Sequence, residues 1–356
     1  MKISTIVGAR PQFIKAAMVS KALLKSDIEE DIIHTGQHFD NNMSNIFFEE
    51  MGIKEPSFNL GVGGGTHGQN TGRMIEGIEA VLLKHKPDYV LVYGDTDSTL
   101  AASISASKLH IPIAHVESGL RSFNRKMPEE INRLLTDHVS NILFIPTLNA
   151  KLNLLSEGIN EKHIHFVGDV MFDASIYFGN IAEEKSTILN KLNIKTKEYS
   201  LISIHRAENT NDRERLSNII SSLKLFNQTI IFPVHPRTKK YLEKFELKIP
   251  SNVIETDPLG FIDMVMLEKN ANLIITDSGG VQKEAFFHKV PCITVRDETE
   301  WIELVDSGWN KLVPPVNSKN IAKIFNDSIG HIGQTISPYG DGNASELIAK
   351  FFCKQR

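Results

Sequence analysis

The sequence predicts an α/β protein of two doubly wound, Rossmann-like domains facing each other across a cleft. Three observations predict it. Short β-branched runs recur along the chain, several of them apolar at nearly every position, as parallel strands covered on both faces must be. Amphipathic stretches at helical spacing separate them, and such alternation winds open sheets with right-handed crossovers. The length, 356 residues, exceeds what one ordinary hydrophobic core serves.

In order, the strand candidates before Asp169 are ISTIV, DIIHT, YVLVYG, IPIAHVES, NILFIP and IHFVGD; from Ser200 on they are SLISIH, TIIFPVH, NVIET, NLIIT and CITV. Helical stretches between them include Phe13 to Lys25 and Glu129 to Ser140. The polar stretch NIAEEKSTILNKLNIKTKEY parts the two sets, which sets the domains at 1–168 and 169–342. The final stretch, 343–356, is expected to pack back on the first domain. GVGGGTHG (Gly61 to Gly68) reads as a flexible loop, with neither a strand before it nor a helix at the offset of a dinucleotide fold.

Composition narrows the function classes. A net charge of −4 without a long basic run argues against nucleic acid or an anionic membrane as partner, so any phosphate site is local. No run is long enough to span a bilayer, and MKISTIVGARPQF reads as a first strand and not a signal peptide, which implies a reduced, cytoplasmic setting. Cys292 and Cys353 lie far apart in apolar contexts and read as buried free thiols. No metal site is expected: His34 and His38 are separated by Gly36, and neither H-E-x-x-H nor C-x-x-C occurs.

Ligands of open α/β sheets bind outside the carboxyl ends of the strands. Strand one ends in GARPQFIK, where Arg10 and Lys15 beside a helix start form an anion clamp. YGDTDSTLA places Asp95 at a strand end, with Thr96 or Asp97 capping the following helix. HVESGLRS adds Glu117, with His115 at the same edge; KMPEEINR opens a helix at Pro128 with Glu129 and Glu130 in its first turn, where the helix dipole alone already favours acids. Three carboxylates gathered at one edge repel one another, which moves at least one toward the range useful for proton transfer. In the second half, SIHRAEN ends a strand in His205 and Arg206, and FPVHPR ends another in His235 and Arg237.

TDSGGVQKEA reads as strand, glycine turn and helix. The first turn of a helix has unpartnered N–H groups and a partial positive charge, so an anion can sit there when no side chain intervenes. Gly279 and Gly280 leave that approach open, Ser278 caps the helix while offering a hydroxyl, and Glu284 is a bidentate acceptor suited to a ribose diol. A tight strand-to-helix turn would use the same glycines.

With these motifs in order, from GARPQFIK to TDSGGVQKEA and VRDETE, nearly the whole chain resembles the non-hydrolysing UDP-N-acetylglucosamine 2-epimerase family, whose fold is of the glycosyltransferase-B type. The resemblance implies removal of the C2 proton of a UDP-sugar, departure of UDP to leave a 2-acetamidoglucal, and return of both with C2 inverted, without a cofactor. It implies Asp95, Glu117 and Glu129 as acid/base groups and His205 near the departing phosphate. Arg10, Lys15, Ser278, Gly279 and Gly280 would hold the diphosphate, and His235 and Glu284 the nucleoside. Gln37, His38 and Arg73 fall where some members bind a second, activating UDP-sugar. A homodimer serving polysaccharide biosynthesis is also implied.

The chain departs from the family pattern in places. It has Ala9 and Gln12 where G-T-R-P-E is usual, SFNRKM where many members have Tyr-Ser-Pro, and DETEWIELVDSGWN in place of T-E-R-P-E. These variants resemble the branch acting on UDP-2,3-diacetamido-2,3-dideoxy-glucuronate, and equally some members acting on UDP-N-acetylglucosamine; on the acidic sugar, Arg125 or Lys126 could pair with the C6 carboxylate. A hydrolysing 2-epimerase would share the elimination, and a retaining glycosyltransferase the fold. A transferase, however, has no use for three grouped carboxylates, and a non-catalytic sensor would not keep them.

Overall fold

A computed structural model describes residues 1–37 and 54–356. The chain divides into two compact units, Met1–Ala174 with Ser337–Arg356, and Ser175–Ile336. The first division falls inside the helix Val170–Lys185.

The first unit holds a seven-stranded sheet: β1 (Lys2–Val7), β2 (Glu29–His34), β3 (Phe58–Asn59), β4 (Tyr89–Tyr93), β5 (Ile113–Val116), β6 (Ile142–Ile145) and β7 (Ile164–Phe166), in the order β3-β2-β1-β4-β5-β6-β7. The second holds β8 (Tyr199–Ser203), β9 (Thr229–Pro233), β10 (Val253–Thr256), β11 (Leu273–Thr276), β12 (Cys292–Thr294) and β13 (Asn310–Leu312), in the order β10-β9-β8-β11-β12-β13. Every described pairing is parallel. Both orders are that of a doubly wound sheet, whose direction of winding reverses between β1 and β4 and again between β8 and β11. At such a reversal the two neighbouring crossovers diverge and leave a crevice at the carboxyl edge.

Apolar strands supply the cores. Val90, Val92, Ile6 and Ile33 bury against Met74, Ile78, Leu82, Ala101 and Ala102 in the first unit, and Ile202, Ile230, Phe232, Leu273 and Ile275 against Leu216, Ile219 and Leu223 in the second. The C-terminal helix Ala344–Cys353 lies on the first unit, against the helix Arg10–Lys25. Its Phe352 ring meets Tyr89 and its Phe351 ring meets Phe144, each with centroids 5.2 Å apart. The Asp173 carboxylate accepts from Ala344 N (3.0 Å), Ser345 N (2.7 Å) and Ser345 Oγ (2.6 Å), fastening the start of that helix.

Four sequence expectations need correction. The strands number thirteen among the described residues, because the short edge strands β3 and β13 join the eleven expected. The glycine-rich loop is flanked by β3 and by the helix His67–His85, which begins inside the quoted stretch. Thr66 and Gln69 form a capping box there, the Thr66 hydroxyl accepting from Gln69 N (3.4 Å) and the Gln69 amide accepting from Thr66 N (3.1 Å). Cys353 is exposed, since it stands off the row of Ile348, Ala349 and Phe352 that buries its helix. The helix Pro128–Val139 is amphipathic in the reverse sense, burying Glu130, Asn132, Arg133, Thr136 and Asp137 while Ile131, Leu135 and Val139 are exposed. Cys292 is buried and free, its thiol pushed up to about 12 by that burial.

Candidate active site

In the first unit the crevice is closed by Gln12. Its Oε1 accepts from Gly8 N (2.8 Å) and Ala9 N (3.0 Å) in the turn after β1, and its Nε2 donates to Tyr93 O (2.9 Å) at the end of β4 and to Thr99 Oγ1 (2.9 Å). A glutamate, usual in the resembling family, has no hydrogen for the last two bonds. Arg10 opens the helix beside this stitch; its side chain lies outside the described residues.

Gly94 follows β4 with φ +62, a conformation costly for most other residues. A Cβ on it would come within 3.2 Å of Glu117 Oε2 and 3.3 Å of Lys15 Nζ, so the glycine makes room for that ion pair. Glu117 itself has φ +71, in the left-handed region where a long side chain is strained. Its backbone is fixed by the bond of its N–H to Phe144 O (3.1 Å), shared with Ser118 N (3.1 Å). Asp95, on the neighbouring strand end, pairs with Arg133. Each of these two carboxylates thus has its own cation. Glu129 is exposed in the first turn of its helix, whereas Glu130 is buried and accepts from Ser122 N (2.9 Å), Ser122 Oγ (3.0 Å), Phe123 N (3.0 Å) and Arg133 Nη1 (3.3 Å). Arg133 therefore ties Asp95 to the helix that carries Glu129.

Beneath the edge, His115 is fully buried, Nε2 donating to Gly94 O (2.7 Å) and Nδ1 lying 2.7 Å from Asp137 Oδ1. Asp137 Oδ2 accepts from Gly119 N (3.1 Å) and meets Arg121 Nη1 (2.7 Å). Burial alone would raise the Asp137 carboxyl, but the His115 bond and the His115 and Arg121 charges hold it below the usual carboxylate range. The chain of contacts fixes the turns on either side of Asp95 and Glu117, and His115 is a positioning group and not a surface acid. Thr96 caps the following helix, accepting from Thr99 N (3.2 Å).

Gln37 is committed within the same unit, its Oε1 accepting from Ser98 N (3.0 Å) and Ser98 Oγ (2.6 Å). Arg73 donates through Nη2 to Gly64 O and Asn70 Oδ1 (2.7 Å each), pinning the glycine-rich loop. His38 lies outside the described residues.

In the second unit the corresponding tie is Asp277, fully buried after β11. Its carboxylate accepts from His205 N (3.1 Å), Arg206 N (3.0 Å) and Asn209 Nδ2 (3.1 Å), joining the turn after β8 to the turn after β11. His205 Nδ1 lies 3.5 Å from Asp277 Oδ1, and its ring is 5.6 Å from that of His235. Burial pushes the His205 ring below its usual value; the Asp277 charge opposes this, and Arg206 and Arg237 add to it. His235, exposed, caps the helix Pro236–Lys244 by accepting from Arg237 N (3.1 Å).

Ser278 stands at the N-cap of the helix Gly279–Phe287, but its hydroxyl makes no capping bond, contrary to the expectation from sequence. Its N–H is turned to Thr276 Oγ1 (3.0 Å) and its carbonyl accepts from Gln282 Nε2 (3.1 Å). A Cβ on Gly279 would stand 2.6 Å from Glu300 Oε1, while one on Gly280 would meet nothing closer than 4.0 Å, at Glu284 Oε2 and Ser278 Oγ. A side chain at Gly279 would thus have to displace the Glu300 carboxylate, whereas Gly280 faces open space. Trp301 Nε1 donates to Gly279 O (2.9 Å), and Lys283 Nζ lies 4.2 Å over the Trp301 ring, so the segment DETEW buttresses this turn.

Sequence reasoning missed Arg133 and Asp277. Each stood inside a quoted motif, Arg133 three residues after Glu130 and Asp277 between a strand end and a glycine pair, and those placements were the available signal. Among the described residues no cluster could hold a metal ion, and no helix is long and apolar enough to cross a membrane.

A family model described as UDP-N-acetylglucosamine 2-epimerase matches residues 21–352. A UDP-N-acetylglucosamine 2-epimerase homolog of Methanococcus maripaludis is 55% identical, covering 98% of this chain and 99% of its own. The UDP-2,3-diacetamido-2,3-dideoxy-D-glucuronate 2-epimerase of Pseudomonas aeruginosa is 50% identical over 99% of this chain and 100% of its own. The crystal structure of the Methanocaldococcus jannaschii UDP-GlcNAc 2-epimerase in complex with UDP-GlcNAc and UDP superposes with a TM-score of 0.90 at 46% identity, covering 99% and 100% of the two chains.

Proposed function

Because the chain belongs to the UDP-N-acetylglucosamine 2-epimerase family, whose members are isomerases, we propose that it inverts C2 of a UDP-linked 2-acetamido sugar. A carboxylate takes the C2 proton, the C1–O bond breaks with its electron pair leaving on UDP, and C1 and C2 become the double bond of a 2-acetamidoglucal. UDP then re-adds at C1 while a second carboxyl group returns a proton to the opposite face of C2. Asp95, Glu117 and Glu129 are the acid/base groups. One observation carries this reading: Glu117 is held in a strained left-handed conformation next to Asp95, each beside its own cation. Lys15 and Arg133 fix those oxygens and steady the charge that moves between them.

The uncapped first turn at Ser278, Gly279 and Gly280 holds the diphosphate, with Arg10 and Lys15 as cations, His205 near the departing phosphate, and His235 and Glu284 on the nucleoside side. A ring kept neutral by burial donates one N–H to the departing phosphate without adding a charge, and becomes a cation beside Asp277 only if it takes up a proton. Gln37, His38 and Arg73 are the groups for a second, activating UDP-sugar. The reversed helix Pro128–Val139, with Ile131, Leu135 and Val139 outward, supports a homodimer, which light scattering after gel filtration would test. A UDP-sugar substrate is consistent with a cytoplasmic enzyme feeding glycan assembly.

Incubation with UDP-N-acetylglucosamine in deuterium oxide, followed by proton NMR, tests the chemistry. The expected result is deuterium at C2 and a UDP-linked 2-epimer. Free N-acetylmannosamine would indicate the hydrolysing reaction, and retention of the C2 proton would overturn the proposal.

A further inference from the structure

A carboxylate already stands beside the helix start that the proposed function gives to the diphosphate. The segment Asp297–Trp301 is fastened onto the first turn of the helix Gly279–Phe287. Trp301 Nε1 donates to Gly279 O (2.9 Å), Thr299 Oγ1 donates to Gln282 Oε1 (2.7 Å), and Trp301 N donates back to Thr299 Oγ1 (3.3 Å). Between those fastenings stands Glu300, its side chain only 10% exposed. Its Oε2 accepts from Arg296 Nη1 (3.1 Å), and its Oε1 lies 2.6 Å from the point that a Cβ on Gly279 would occupy. Arg296 is fully buried, so its charge needs a carboxylate within reach, and that need holds Glu300 in place. One oxygen serves the guanidinium and the other lies against the helix start. Arg206 is near the same point, its Nη2 3.7 Å away.

A carboxylate at a helix start suits the dipole while nothing else is bound. It becomes a cost once phosphate oxygens settle on the same turn, because like charges a few ångströms apart repel. That cost differs between ligands. UDP joined to a sugar carries about two negative charges, whereas free UDP loses a further proton from its terminal phosphate near pH 6 and carries about three. We infer that Glu300 weighs against the third charge and so sets the site's discrimination between the UDP-sugar and free UDP. The same charge comes and goes during the reaction. When the C1–O bond breaks, its electron pair leaves on the β-phosphate oxygen, and the charge disappears when that oxygen bonds again to C1. Glu300 therefore also favours return of UDP to the glycal over its accumulation in the site. The inference rests on the diphosphate reading of this helix start and deepens it.

The test is calorimetric binding of UDP and of UDP-N-acetylglucosamine, at neutral pH, to the unaltered protein, E300Q and E300D, with thermal melting to confirm that each is folded. E300Q keeps an oxygen for Arg296 and removes the charge; E300D keeps the charge and draws it back from Gly279 by one methylene. In E300Q both nucleotides are expected to bind more tightly, UDP gaining about 3- to 10-fold more than the UDP-sugar, a margin that shrinks in high salt. E300D is expected to move the same ratio in the same direction by less. A ratio unchanged in both variants, or moved toward the UDP-sugar, overturns the inference; should E300Q not fold, the ratio in E300D decides alone. G280V separates this inference from the reading beneath it, since its side chain enters the open space at the helix start. Loss of UDP affinity in G280V with an unmoved ratio in E300Q leaves the diphosphate at the helix and sinks only the role of Glu300. Full UDP affinity in G280V removes the diphosphate from this helix, and both readings fall.

Discussion

The turn after β1 is joined to the turn after β4 by Gln12, a neutral amide giving two hydrogen bonds and receiving two; the turn after β8 is joined to the turn after β11 by Asp277, a buried anion that only receives. Sheet order is the same in both units but for the additional edge strand β7 in the first. The neutral stitch adds no charge to the first crevice, where Lys15 pairs with Glu117 and Arg133 with Asp95 and Glu130. The anionic stitch does the opposite. It draws backbone N–H groups inward and sets charge beside His205, while the neighbouring helix Gly279–Phe287 is left without a side-chain cap. On the proposed reading, the same topology carries the acid/base groups in one unit and, in the other, the uncapped helix start that meets the diphosphate.

That contrast can be broken in several ways. The largest effect is expected from E117Q, which should lower kcat by about 10²- to 10⁴-fold, the usual share of a general acid or base, while UDP alone still binds by calorimetry. Parallel loss of UDP affinity would show that Glu117 acts through the placement of Lys15 and not as an acid or base. Next comes D277A, which strands two backbone N–H groups and an amide and should cost about 3 kcal/mol in chemical denaturation, against about 2 kcal/mol for Q12A. A larger cost for Q12A would reverse the roles assigned to the two stitches. G279A drives a methyl group against Glu300 and should weaken UDP binding roughly tenfold, with G280A losing less because its Cβ meets open space. Equal losses would mean that approach of the phosphate, and not packing, sets both glycines.

The smallest effect is a titration. His205 is expected to protonate below its ordinary value because burial outweighs the Asp277 charge. Removing that charge in D277N should lower the midpoint further, read by histidine NMR. A group whose folded value is depressed in this way, being a cation when protonated, destabilises the fold as pH drops through the unfolded value, since the unfolded chain takes the proton first. A midpoint that rises in D277N would contradict the assignment of Asp277 as a stabilising neighbour.

The strands, their alternation with helices and the strand-end motifs were legible because parallel strands must be apolar on both faces. The edge strand β13, Asn310–Leu312, was not, since three residues with a lysine at the centre carry no pattern. Nor could the sequence separate Glu129 from Glu130: adjacent acids in one helical turn are equivalent to the dipole, and only tertiary packing decides which is buried. The reversed helix misled for a related reason. Periodicity reports that two faces differ, not which one turns inward, and here the inward face is polar because Asp95, Asp97, His115 and Arg121 need partners there. Gln12 was noticed only as a departure, although its amide hydrogens are what the crevice requires.

The helix Pro128–Val139 has Arg133 and Glu130 on one side and an oily ridge of Ile131, Leu135 and Val139 on the other. Whatever seats on the ridge therefore seats on the same helix that carries the partner of Asp95. Should two copies meet along it, specific activity would fall on dilution while circular dichroism stayed constant, and the enzyme would report its own concentration.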